Sequence, residues 1–230
     1  MNFVYVMIAA TVVCIAMQSY VGKRRGVPLV KCVIMALITL GSGYFGAKLM
    51  RLVEAGTMEG RSFFGTVFLT PVVTIIAARL MRVSVADVLD ATAVSCAFVA
   101  MFEKIGCSID GCCQGRVFQF VSDNQIKIFQ FPSQITESIA GLVIALILLR
   151  WLVRGRYSGK LYPLFLVLYG IARFVLNWLR SARPFIWFLP AGNFWSLISI
   201  AAGIVCLRVM KCRTENKGKY AERPRAHARN

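Results

Sequence analysis

The sequence predicts an all-α fold: a multi-pass transmembrane helical bundle of about seven spans, N-terminus outside and C-terminus cytoplasmic. Three observations carry this. Apolar residues make up 58% of the 230 residues and charged ones 16%, against about 45–50% and about 25% in soluble domains. The apolar residues fall in runs of roughly 18–22, enough to cross about 30 Å of hydrocarbon. The basic excess, 27 Lys and Arg against 10 Asp and Glu, is spread unevenly between the two ends of those runs. In a soluble chain a net charge of +17 points to nucleic acid. Beside membrane spans it reports cytoplasmic loops and anionic headgroups, so no nucleic-acid partner is expected.

The first span covers residues 3–20. It has neither a basic start nor an A-x-A-like cleavage site, so it reads as a span and not a signal peptide. The second covers 29–50 and the third 63–81. The fourth, 85–106, is the weakest, because Asp87, Asp90 and Glu103 interrupt it. The fifth, sixth and seventh cover 134–153, 161–180 and 193–210. Residues 1–210 thus form one membrane domain. The basic tail 211–230 is expected to be disordered on the cytoplasmic side.

With the N-terminus outside, 18 Lys and Arg fall inside and eight outside, while Arg173 lies within a span. The positive-inside rule therefore selects N-out, C-in, and an odd number of spans agrees. The segment 107–133, with the cysteine-rich "IGCSIDGCCQGR" at its start, then faces outward.

Polar side chains inside a bilayer are costly and are functional candidates. The sixth span carries Tyr169, Arg173, Asn177 and Arg180, separated by four, four and three residues, which stacks them on one helical face. Gln134 and Glu137 share a face at the outer end of the fifth span, where Glu137 is placed to pair with Arg173 or Arg180. Glu103 and Lys104 close the fourth span, Arg116 closes the loop after it, and Arg61 and Ser62 precede the third. Together they describe a cationic, partly buried pocket open to the outer leaflet. Such a pocket suits an anionic headgroup, whose phosphate a guanidinium fork holds at two points. Structural ion pairing and snorkelling are the competing reading of the same residues.

At these residues the chain resembles the prolipoprotein diacylglyceryl transferase family. Its signature segment appears as "KIGCSIDGCCQGR", with Ile105, Gly106, Gly111, Gly115 and Arg116 in frame. The Pro-Ser-Gln…Glu motif appears as "PSQITE", Pro132 to Glu137, and the Tyr-Gly-x-x-Arg motif as "YGIAR", Tyr169 to Arg173, with Arg180 beyond. Asp90 and the "GNFWSLISIAAGIV" of the last span also match. Order and spacing hold over roughly residues 62–205.

The resemblance implies a bacterial cytoplasmic-membrane enzyme that takes the diacylglyceryl group of phosphatidylglycerol. The acceptor is the thiol of the lipobox cysteine of a prolipoprotein signal peptide, and no cofactor or metal is implied. Arg173 is then expected to hold the lipid phosphate, with Lys104 and Glu137 as its catalytic companions and Arg116 assisting. Tyr169, Gln134, Asn177 and Arg180 orient the headgroup or the cations, and Gly115 shapes the loop. The chain also departs from the pattern. The histidine of the family's Ser-Phe-His-Gly, a proton acceptor, is Phe64 here, and its only histidine is His227 in the tail. The signature arginine is Lys104, the asparagine of Ile-Gly-Asn is Cys107, and a glutamate after Asn-Gly is Cys112. A homologue that binds lipid with altered or lost catalysis is the alternative.

Of eight cysteines only Cys107, Cys112 and Cys113 belong to the outer loop. A zinc site wants paired C-x₂-C knuckles, which C-x₄-C-C does not supply. A disulfide from Cys107 to Cys112 or Cys113 fits an oxidising exterior, and a membrane thiol oxidoreductase is the remaining rival. Otherwise the cysteines are small residues among glycines that allow the backbone to approach closely.

Overall fold

The structure is a computed structural model and describes residues 2–112, 114–122, 125–155, 159–180, 185–186 and 188–222. Among these, seven helices run α1 Asn2–Arg24, α2 Leu29–Ala55, α3 Phe63–Leu80, α4 Val85–Ile109, α5 Ser133–Arg154, α6 Leu161–Asn177 and α7 Ala191–Glu222. Six are long and apolar enough to span a membrane, and α6 is a shorter apolar helix. The chain is a multi-pass helical membrane bundle, as its composition predicts. Between α4 and α5 lies an antiparallel hairpin, β1 Val117–Ser122 and β2 Gln125–Gln130, in register from Val117 opposite Gln130 to Ser122 opposite Gln125. A smaller one, β3 Phe185–Ile186 with β4 Leu189–Pro190, precedes α7.

The helices wind round α4. It touches α1, α3, α5 and α6, while α2 pairs with α3 and α7 with α6. The core between α3, α4, α5 and α6 holds Val67, Val94, Leu148 and Phe165, all sealed from the surface. Large apolar side chains such as Val30 and Phe45 on α2, and Ile139 and Leu146 on α5, are exposed, as suits a lipid-covered surface.

With lipid as apolar as leucine, packing between the helices relies on close approach and on internal polar pairing. At the crossing of α2 and α3, a Cβ on Gly65 would lie 1.8 Å from the Gly46 carbonyl oxygen. Pro71 inside α3 has no N–H for the Val67 carbonyl. The Tyr162 hydroxyl of α6 donates to that oxygen instead, at 2.8 Å, meeting the bilayer's demand that no backbone group go unsatisfied.

The sixth span differs from expectation at its end. At its start the buried Asp90 carboxylate of α4 accepts the Gly159 and Leu161 N–H groups at 2.6 and 2.9 Å, which fixes where α6 begins. At the other end the helix stops at Asn177 rather than continuing through residue 180. Trp178 and Leu179 form a turn, and Arg180 makes a β-bridge to Gly115. The seventh helix continues past its apolar part, Ala191–Cys212, into the basic segment.

Candidate functional site

Where α4 and α6 end and α3 and α5 begin, side chains gather round one carboxylate. Glu137, in the second turn of α5, is 6% exposed. Lys104 of α4 puts Nζ 3.0 Å from its Oε2, and Arg173 of α6 puts Nη1 2.5 Å from the same oxygen. Arg180, past the end of α6, places Nε 3.7 Å from Oε1. The four-residue spacing of Tyr169, Arg173 and Asn177 puts all three on the buried face of α6. Arg180 reaches the cluster by its turn and bridge, not by helical periodicity. Three cations against one carboxylate, in a site largely withdrawn from water, leave an excess of positive charge.

The loop after α4 closes over this cluster. The Arg116 N–H donates to the Leu179 carbonyl at 2.8 Å, and the Phe131 N–H donates to the Arg116 carbonyl at 3.0 Å. Gly115 lies between these strands, where a Cβ would stand 1.9 Å from the Phe131 carbonyl oxygen. Glycine is required there by close approach, and the bridge to Arg180 depends on it. Gln134 Nε2 donates to the Cys112 carbonyl at 2.7 Å and ties the loop to α5.

A cavity of about 650 Å³ opens at this end, within the usual range for small-molecule clefts. Lys104, Cys107, Cys112, Arg173, Asn177 and Arg180 line it, as do Arg51, Glu54, Arg61 and Glu103. Among the described residues this wall carries five cations and two carboxylates, with Glu137 behind Lys104 and Arg173. An apolar cleft between α1, α2, α3 and α4, with Ala10, Leu40, Val99 and Phe102 on its walls, meets the cavity at Arg61, Phe63 and Glu103.

The expected residues divide by position. Lys104, Arg173, Asn177, Arg180, Cys107 and Cys112 face the cavity, and Glu137 and Tyr169 line a narrow slot behind it. Gln134 and Gly115 hold the loop backbone. Arg116 has an exposed side chain outside the cavity wall and contributes through its backbone. Cys113 and His227 lie outside the described residues. Asn177 Nδ2 donates to Oδ1 of the buried Asn193, whose own amide donates to the Phe174 carbonyl at 3.2 Å. Phe64 packs on Phe68 and Tyr169, with ring centroids 6.1 and 5.7 Å apart.

Arg51 and Glu54 were not expected here. They lie past residue 50, where the apolar run fades, but α2 continues until Gly56 ends it with φ 69°. That glycine is a helix-stop signal readable in the sequence. Among the described residues no three His, Cys, Asp or Glu side chains gather to hold a metal.

A family model described as "Prolipoprotein diacylglyceryl transferase" matches residues 3–209. The phosphatidylglycerol–prolipoprotein diacylglyceryl transferase of Clostridium tetani is 25% identical over 214 residues, 84% of this chain and 86% of the relative. The second such enzyme of Clostridium perfringens is 23% identical, covering 84% of each chain. That of Wolinella succinogenes is 28% identical over 153 residues, 65% of this chain and 56% of its own.

Proposed function

The chain belongs to the prolipoprotein diacylglyceryl transferase family, and from that premise we propose that it moves the diacylglyceryl group of phosphatidylglycerol onto the lipobox cysteine thiol of a prolipoprotein. A C–S bond forms, the bond from the glycerol carbon to the phosphate oxygen breaks, and glycerol phosphate leaves. The observation that carries this reading is the cationic cavity joined to an apolar cleft. A phosphatidylglycerol molecule needs both: cations for a phosphate that gains charge as it leaves, and an apolar path for tails that stay in the bilayer.

Arg173 holds the phosphate, Lys104 and Arg180 add charge, and Glu137 keeps the three cations in place between turnovers. Asn177, oriented by Asn193, presents an amide to the headgroup glycerol. The acceptor thiol enters where cleft and cavity meet, so that sulfur, carbon and leaving oxygen come into line. The site end faces the outside of the bacterial cytoplasmic membrane. In support, Lys23, Arg24, Arg25, Lys31, Arg79 and Arg82 gather at the opposite ends of α1 to α4, the side that positive charge marks as cytoplasmic.

The test is transfer in vitro from phosphatidylglycerol vesicles to a lipobox peptide. The wild type is expected to give a thioether-linked peptide and one glycerol phosphate per turnover. Arg173→Ala should lower kcat by about 10²–10³. Wild-type protein that is folded, binds phosphatidylglycerol and transfers nothing would instead establish the lipid-binding alternative.

A further inference from the structure

We propose that Glu103 takes the proton from the incoming thiol. The inference rests on the transferase reading and asks what that reading leaves open. The nucleophile is a thiolate, and a free cysteine thiol holds its proton to about pH 8.5, so transfer near neutrality needs an acceptor beside the sulfur.

Three carboxylates stand near the cavity. Glu137 is shared by Lys104, Arg173 and Arg180, and a proton on it would compete with three cations. Glu54 sits at the end of α2, accepts the Ser62 hydroxyl at 2.8 Å, and does not line the apolar cleft. Glu103 alone of the three borders the cationic cavity, the apolar cleft and the narrow slot beneath Tyr169. It is half-buried, and among the described residues it has no ion pair or hydrogen bond.

That position is set by the helix. Adjacent residues on α4 diverge by about 100°: Lys104 reaches Glu137 on α5, while Glu103, which shares the cavity and the slot with it, also borders the cleft lined by α1, α2 and α3. The lipid's reacting carbon lies between its phosphate and its tails. With the phosphate among the cations and the tails in the cleft, that carbon falls at the junction which Glu103 shares with Arg61 and Phe63. The thiol S–H proton passes to the Glu103 carboxylate, sulfur bonds to carbon, and the C–O electron pair leaves with glycerol phosphate. Glu103 then returns the proton to water.

The experiment compares wild type, Glu103→Gln and Glu103→Asp in the same transfer assay, with a thermal melt of each. Loss of a general base costs about 10²–10⁴-fold. Glu103→Gln is therefore expected to lose about a hundredfold or more in kcat at pH 7, with KM for phosphatidylglycerol within about threefold of wild type. Its rate should climb with pH towards about 8.5 as solution supplies thiolate, while the wild-type profile stays flatter. Glu103→Asp keeps a carboxylate and should recover about tenfold or more of the loss. The inference is overturned if folded Glu103→Gln turns over at wild-type rate, if its pH profile parallels the wild type, or if folded Glu103→Asp is no faster than Gln. A wild type that transfers nothing overturns the transferase reading itself, a separate result.

Discussion

Glu137→Gln isolates what holds the cation cluster together. The amide keeps the shape and removes the charge, leaving Lys104, Arg173 and Arg180 with nitrogens 3.0, 2.5 and 3.7 Å from a neutral group. At an effective dielectric of about 20, a unit pair at about 4 Å is worth about 4 kcal/mol. Part of that is returned because the carboxylate no longer has to be desolvated. Removing one member of a buried ion pair leaves a net cost of about 3–5 kcal/mol. In a chain of this size each kcal/mol moves Tm by about 2–4 °C, so the variant should melt about 6–20 °C below wild type in neutral detergent. Phosphatidylglycerol then supplies the missing negative charge from the cavity side, and adding it should narrow the gap. The assay is a thermal unfolding scan of both proteins with and without the lipid. A variant melting within about 2 °C of wild type, or a gap that phosphatidylglycerol leaves unchanged, would refute the reasoning.

Two further substitutions separate the loop from the scaffold. Gly115→Ala drives a methyl against the Phe131 carbonyl, 1.9 Å from the ideal Cβ, where backbone has little room to yield. Overpacking costs about 1–3 kcal/mol, and kcat in the transfer assay should fall further than the melt alone accounts for, because Arg180 loses its bridge. Asp90→Asn removes the charge that accepts the Gly159 and Leu161 N–H groups, where each such hydrogen bond contributes about 1.5–3 kcal/mol. A lower Tm with an unchanged KM for phosphatidylglycerol is expected, since Asp90 sits at the far end of the bundle. A shifted KM would show that α6 transmits the change.

The helices were legible because a bilayer imposes length and polarity on every span, and both can be read from residues alone. Helix ends were less so. The start of α6 at residue 161 was readable, but hydropathy cannot see that Arg180 leaves the helix, since that depends on a partner about 65 residues away. The hairpin at 117–130 does carry a sequence signal: "VFQFVS" and "QIKIFQ" are strand-like runs separated only by Asp123 and Asn124, residue types common in turns. At the site, spacing placed Tyr169, Arg173 and Asn177 on one face, and charge complementarity paired Glu137 with the arginines. It did not show that Glu103 borders the apolar cleft while Lys104 does not, because that depends on which helices surround α4.

The two ends of the bundle show why counting charges finds orientation but not the site. More basic residues lie at the far end, and three of them are engaged locally. Arg25 pairs with Asp87 at 3.0 Å, Lys31 donates to the Met81 carbonyl at 3.0 Å, and Arg24 donates to the Val153 carbonyl while its guanidinium lies 4.7 Å from the Tyr20 ring centre. Those interactions cap helices and leave the solvent to screen what remains. At the site end fewer cations converge more tightly, and Lys104, Arg173 and Arg180 share Glu137 between them. A fold that only needed stability would gain by matching these charges or by replacing them with apolar packing. Keeping them under-neutralised beside a cavity makes sense when an anion, in our proposal the lipid phosphate, completes the set during part of the cycle.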